Sequence, residues 1–142
     1  MKNILIATDG SGGAAAAVSA GLELARDGGG SATVLYVRTE IGPLGEPFYQ
    51  RKLSEQMQEA EAALEQVRAV AESLSMSIET EVLEGEAAEV IVDLARARDA
   101  DVIVVGSRGL GAVTGVLLGS VSTEVVHKAD RPVLVVKEKS SA

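Results

Sequence analysis

Five short runs rich in Val and Ile alternate along this chain with longer segments of helical periodicity, and that alternation admits few architectures. The runs fall at residues 3–8 (NILIAT), 32–37 (ATVLYV), 77–83 (SIETEVL), 101–105 (DVIVV) and 132–136 (PVLVV). All but the third are nearly continuous in apolar character, as strands buried on both faces of a parallel sheet are. The third alternates polar with apolar, which suits an edge strand with one solvated face. The pattern predicts an α/β layered fold with right-handed crossovers. The 142 residues suit one domain over 1–142, with no repeat or linker within it.

Four helices are predicted between the runs. Residues 11–26 place Ala14, Val18, Leu22 and Ala25 on one face. The glycine tract 28–30 then stops that helix, because glycine takes the left-handed end conformation cheaply. Residues 48–74 carry the longest stripe: Leu53, Met57, Ala60, Leu64, Val67, Ala71 and Leu74. Its heptad spacing fits a coiled-coil seam, but the flanking strands favour packing on a sheet. Glu55, Glu59, Glu61, Glu65 and Glu72 form the solvated side. Residues 86–98 group Val90, Ile91, Leu94 and Ala95. Residues 120–129 turn Val121, Val125 and Val126 inward.

Composition excludes several kinds of chemistry. Without cysteine there is no disulfide, thiolate metal site or thiol nucleophile. The one histidine, His127, cannot build a multi-histidine centre and reads as a surface residue of the last helix. With 13 basic and 21 acidic residues, the net charge of −8 argues against nucleic acid, whose phosphates need clustered cations. Tyr36, Phe48 and Tyr49 are the only aromatics, too few for base-stacking platforms. The opening apolar run is too short for a signal-peptide core, and no stretch approaches a membrane span. The expected location is the cytoplasm, without membrane insertion.

Two glycine-bearing loops, residues 38–47 and 106–119, follow strands, at the sheet end where open α/β folds bind ligands. The second opens the segment GSRGLGAVTGVLLGSVSTEVV. Glycines there let main-chain N–H groups approach a ligand without a Cβ between. The loop ends at Gly119-Ser120, before a helix whose amino terminus offers unpaired donors and a positive dipole end. Ser120 and Ser122 add hydroxyls. This is either an anion site suited to phosphates or a glycine loop with Ser120 as a plain N-cap. No Gly-Lys-Ser/Thr occurs, so it is not a Walker A loop. Arg108 either meets a terminal phosphate or stays solvated.

The spacing Gly106-x-x-Gly109, nine residues, Gly119-Ser120 resembles the nucleotide-binding motif of the universal stress protein family. GSRGLG, LLGSVS and RPVLVVK follow the family style, and NILIATDGS is similar to its first strand with the acidic residue. The resemblance spans the chain. It implies an open parallel sheet of five strands in the order 3-2-1-4-5 with helices on both faces, an adenine-nucleotide alpha-hydrolase-like fold. It also implies dimers and, in one branch, ATP. Carried over by residue, Asp9 binds the ribose hydroxyls, Val37 offers main-chain groups to adenine, and Ala7 lines that pocket where the family often has proline. Gly106, Gly109, Gly119 and Ser120 surround the phosphates, with Ser107, Arg108, Leu110, Gly111, Val121 and Ser122 adjacent. A magnesium ion, which usually keeps its waters, is held indirectly if present. Asp9 has a plainer alternative as a cap of the first helix.

Rival readings are weaker. Residues 10–15 (GSGGAA) fit a dinucleotide fingerprint, but Asp9 before them repels a pyrophosphate, and Arg38 stands where an acidic ribose reader belongs. A receiver domain needs an aspartate after the third strand, where Glu84-Gly85 stands. No catalytic set emerges, and without a lysine clamp any ATP hydrolysis is slow. The fifth run, from Pro132 to Val136, is an apolar edge that a second copy can cover in a homodimer. The alternative is a monomer shielded by its tail, residues 137–142. The expectation is an ATP-binding regulatory homodimer with an unspecified protein partner. An interaction-only dimer with an unused pocket, or a weak ATPase, is the alternative.

Overall fold

A computed structural model of the chain describes residues 2–108 and 119–138. Its elements are β1 (Asn3–Thr8), α1 (Gly12–Asp27), β2 (Ser31–Arg38), α2 (Phe48–Ser73), β3 (Glu79–Glu84), α3 (Ala87–Ala97), β4 (Val102–Gly106), α4 (Ser120–Lys128) and β5 (Val133–Val136). The strands form one parallel sheet in the order β3-β2-β1-β4-β5. The third and fifth runs are its edges, and the α/β reading holds.

The apolar runs are continuous because successive residues serve opposite layers. Ile4, Ile6, Val34, Tyr36, Val102 and Val104 pack with Val18 and Leu22 of α1 and with Leu64 and Val67 of α2. Leu5, Leu35, Ile103 and Val105 pack on the other face with Ile91 and Ala95 of α3 and Val125 of α4. Burying each large aliphatic side chain contributes roughly 1.5–3 kcal/mol, so slipping a strand by one residue would gain little contact and lose its register.

Several local expectations shift. The glycine that takes the left-handed conformation after α1 is Gly29, at φ +66°, while Gly28 is still right-handed. The third strand starts two residues late, leaving Ser77 and Ile78 outside it. Met57 of the long stripe is exposed, and burial along α2 begins at Ala60. The reason is length. At 26 residues α2 spans about 39 Å, against about 26 Å for the 8 residues of β2. Its first turns overhang the carboxyl end of the sheet. There Arg38 Nη1 donates to Gln56 Oε1 at 3.0 Å.

In α4 the inward residues are Ser122 and Val125, whereas Val121 and Val126 are 40% and 47% exposed. Five residues apart, those two valines stand about 140° around the helix from each other. One buried stripe cannot take both, and the helix turns Ser122 inward between them.

Candidate functional site

Parallel strands bring their carboxyl ends to one edge, where Thr8 lies beside Tyr36 and Gly106 beside Val136. The strand order reverses between β1 and β4, the place where open α/β sheets form a ligand crevice. Asp9 follows β1, and Ser107 and Arg108 follow β4. Ala7 and Val37 pack on the same face of the sheet, against the core shared with α3 and α4. These candidates therefore gather at one end. Gly109, Leu110 and Gly111 lie outside the described residues, as do 139–142 of the tail.

Asp9 is not the cap of α1. Its Oδ1 accepts from the Ser11 N–H at 2.9 Å, and Ser11 is the N-cap, its Oγ accepting from Ala14 N–H at 3.2 Å. The carboxylate is thereby held at the mouth of the crevice. Tyr36 lies close by. Burial pushes its phenol above the ordinary 10.0, and the Glu59 and Asp9 carboxylates push it further. The Tyr36 side chain belongs to the core shared with α1 and α2, on the face opposite to Ala7 and Val37.

The glycines divide their work. A Cβ on Gly106 would stand 2.8 Å from the Gly13 carbonyl oxygen, and one on Gly13 would collide with that of Arg108. The first turn of α1 thus packs main chain to main chain against the end of β4. Gly106 serves that contact. The same packing explains Gly13 of the fingerprint-like stretch. Glu138 Oε1 lies 2.8 Å from where a Cβ on Gly12 would stand, which with Asp9 places two carboxylates near the start of α1. That environment disfavours a pyrophosphate there. Arg38 is engaged as well, by Gln56 and by Glu84 at 3.3 Å.

At the start of α4 the N-cap position is Gly119, with no side-chain cap among the described residues, and Ser120 is the first helical residue and exposed. Ser120 is therefore not the plain cap that sequence also allowed. Of the other helices, α1 is capped by Ser11 and α3 by Glu86, whose carboxylate accepts from Ala88 and Glu89, while α2 follows Pro47 and also has no side-chain cap. An uncapped start leaves main-chain donors without intrahelical partners at the positive end of the dipole.

Not every predicted donor is available. Ser107, 4% exposed, donates its N–H to Val136 O at 2.8 Å. The Gly119 N–H donates to the Ser107 carbonyl, and the Ser122 hydroxyl is turned to the same carbonyl at 3.1 Å. Ser120 and Val121 at the start of α4 are exposed, as is Arg108 after β4. His127 is exposed in the last turn of α4. No group of three His, Asp or Glu among the described residues is placed to hold a metal ion. No helix among them is long and apolar enough to cross a membrane.

Comparison with known proteins agrees with this fold. Residues 1–137 match the universal stress protein family. A universal stress protein of Thermus aquaticus is 38% identical over 139 residues, covering 96% of this chain and 98% of its own. Universal stress protein UspA from Lactobacillus plantarum superposes with a TM-score of 0.81 at 30% identity, over 95% of this chain and 97% of that one. The universal stress protein from Archaeoglobus fulgidus in complex with dAMP shares the fold, with a TM-score of 0.72 at 24% identity over 96% and 98% of the two chains. Sheet order, full-length sequence match and superposition coincide: this chain belongs to the universal stress protein family.

Proposed function

We propose that the protein is a cytoplasmic adenine-nucleotide-binding regulator, with ATP as its ligand. The observation that carries this reading is the uncapped start of α4 at the carboxyl end of the sheet, across the β1–β4 crevice from Asp9. The Ser120 and Val121 main-chain donors, with the Ser120 hydroxyl, take phosphate oxygens. Gly119 keeps a side chain out of their path, and Arg108 stands at the outer end. Asp9 accepts from the ribose hydroxyls. Ala7 and Val37 border the adenine, and Gly109, Leu110 and Gly111 complete the loop. A magnesium ion accompanies the triphosphate through its own waters. The dAMP complex of the Archaeoglobus protein supports an adenine nucleotide on this fold. Occupancy acts on a protein partner only as far as ATP prefers one conformation of the surface that the partner reads.

The working unit in this reading is a homodimer. β5 is an edge strand, and Leu134 is 40% exposed on it. A second copy of the Pro132–Val136 stretch, added about a two-fold axis, covers that edge.

Native mass spectrometry of gently purified protein tests the ligand. The expected result is a retained adenine nucleotide, lost in Gly119→Val. Gly119 has φ −75°, which any residue adopts, so the variant should fold. A folded Gly119→Val protein that keeps its nucleotide contradicts the phosphate site. Recovery of intact dimers that never bind added ATP favours an interaction-only role.

A further inference from the structure

The chain leaving β4 and the chain entering α4 are tied together at one buried point. The Ser122 hydroxyl lies 3.1 Å from the Ser107 carbonyl oxygen and 3.1 Å from that of Gly119. Ser122 is 4% exposed. The Gly119 carbonyl has other donors, the Thr123 N–H at 3.0 Å and the Thr123 hydroxyl at 2.8 Å. The contribution of Ser122 is therefore a second donor, beside the Gly119 N–H, to the carbonyl of Ser107, fifteen residues earlier. Ser107 is itself fastened to β5 through Val136. An inward helix position ordinarily takes an apolar residue, and a buried hydroxyl is unfavourable unless it is bonded. Val121 and Val126 stand on either side of it and are left exposed.

We propose that Ser122 is a positioning residue for the phosphate site. Its hydroxyl is turned to main-chain carbonyls. It acts through Ser107 and Gly119, fixing the start of α4 against the end of β4 so that the Ser120 and Val121 N–H groups hold one aim. This inference rests on the nucleotide-binding reading and deepens it. Its consequence is selective: the strut governs affinity for the phosphates and leaves the base and ribose corner, built on β1 and β2, as it was.

Chemical-shift titration of the full chain with ATP and with adenosine, which reads affinities into the millimolar range, tests it on Ser122→Ala and Ser122→Thr. The expected result for Ser122→Ala is about a three- to tenfold loss of ATP affinity, adenosine affinity within twofold of the parent, and recovery of ATP affinity in Ser122→Thr. Unchanged ATP affinity in Ser122→Ala overturns the proposal. So does an equal loss for ATP and adenosine, or a failure of threonine to restore what alanine loses. If Ser122→Ala does not fold, Ser122→Thr against Ser122→Val makes the same comparison, because the two differ in the hydroxyl and hardly in shape. A parent protein that binds neither ligand defeats the nucleotide reading itself, which is a different result from a parent that binds and a variant that does not care.

Discussion

Asp9 and Tyr36 stand a strand apart at the ligand edge, and each carries a prediction. Asp9→Ala should weaken ATP binding by roughly 1.5–3 kcal/mol, the range for a hydrogen bond to a charged group. The same variant should lose discrimination between ATP and 2′,3′-dideoxy-ATP in calorimetry. Because Asp9 also accepts from Ser11, an unchanged melting temperature is the control that separates ligand loss from a loosened turn. Tyr36 has a folded-state pKa above 10.0, from burial first and from Glu59 and Asp9 next. A raised pKa means that the unfolded chain ionises this phenol before the folded protein does. Its contribution to stability is whole below pH 10 and is lost as pH rises through the folded value. In a Tyr49→Phe background, tyrosinate absorbance should appear with a midpoint above 10. A midpoint at or below 10 contradicts the burial of the phenol beside two carboxylates.

The elements show what one sequence pattern can and cannot disclose. Strand positions were legible because continuous apolar runs have one good explanation in a layered fold, and β1 matches its run residue for residue. Orientation of α4 was not. Three valines promised an inward stripe, but a hydrogen bond from Ser122 to a carbonyl fifteen residues away decided the rotation, and no local periodicity encodes that. Gly13 of α1 was likewise legible only as part of a phosphate fingerprint, since its close contact is with the main chain that follows β4. That contact gives a paired test. Gly12 and Gly13 open the same helix, and replacing either by alanine reduces unfolded-chain entropy by about 0.4–1 kcal/mol where the site has room. At Gly12 the new methyl meets only the far end of the Glu138 side chain, which can move. At Gly13 it meets the Arg108 main chain. In urea unfolding, Gly12→Ala should be neutral or stabilising, and Gly13→Ala should be destabilised by about 1–3 kcal/mol. Equal effects would contradict the close approach of α1 to β4.

At the scale of the whole molecule, the order of the sheet places both the crevice and the exposed edge. β5 lies outermost beside β4, so the strand that anchors Ser107 is also an edge of the sheet. A charge at Val135 should convert dimers to monomers in sedimentation velocity, and an unchanged sedimentation coefficient would remove the β5 interface. The overall fold was readable from the alternation of runs and from the likeness of the glycine spacing to a known family. Which donors remain open to a ligand was not readable, because it depends on where the Ser107 and Gly119 main-chain groups find partners.

Titration of the isotope-labelled protein with ATP, followed amide by amide, addresses the phosphate site most directly. The main-chain N–H signals of Ser120 and Val121 should move furthest and saturate with ATP, and should stay nearly still with adenosine. Saturating shifts confined to other edges of the sheet, or shifts at those two amides that adenosine reproduces in full, would contradict an anion held at the start of the last helix.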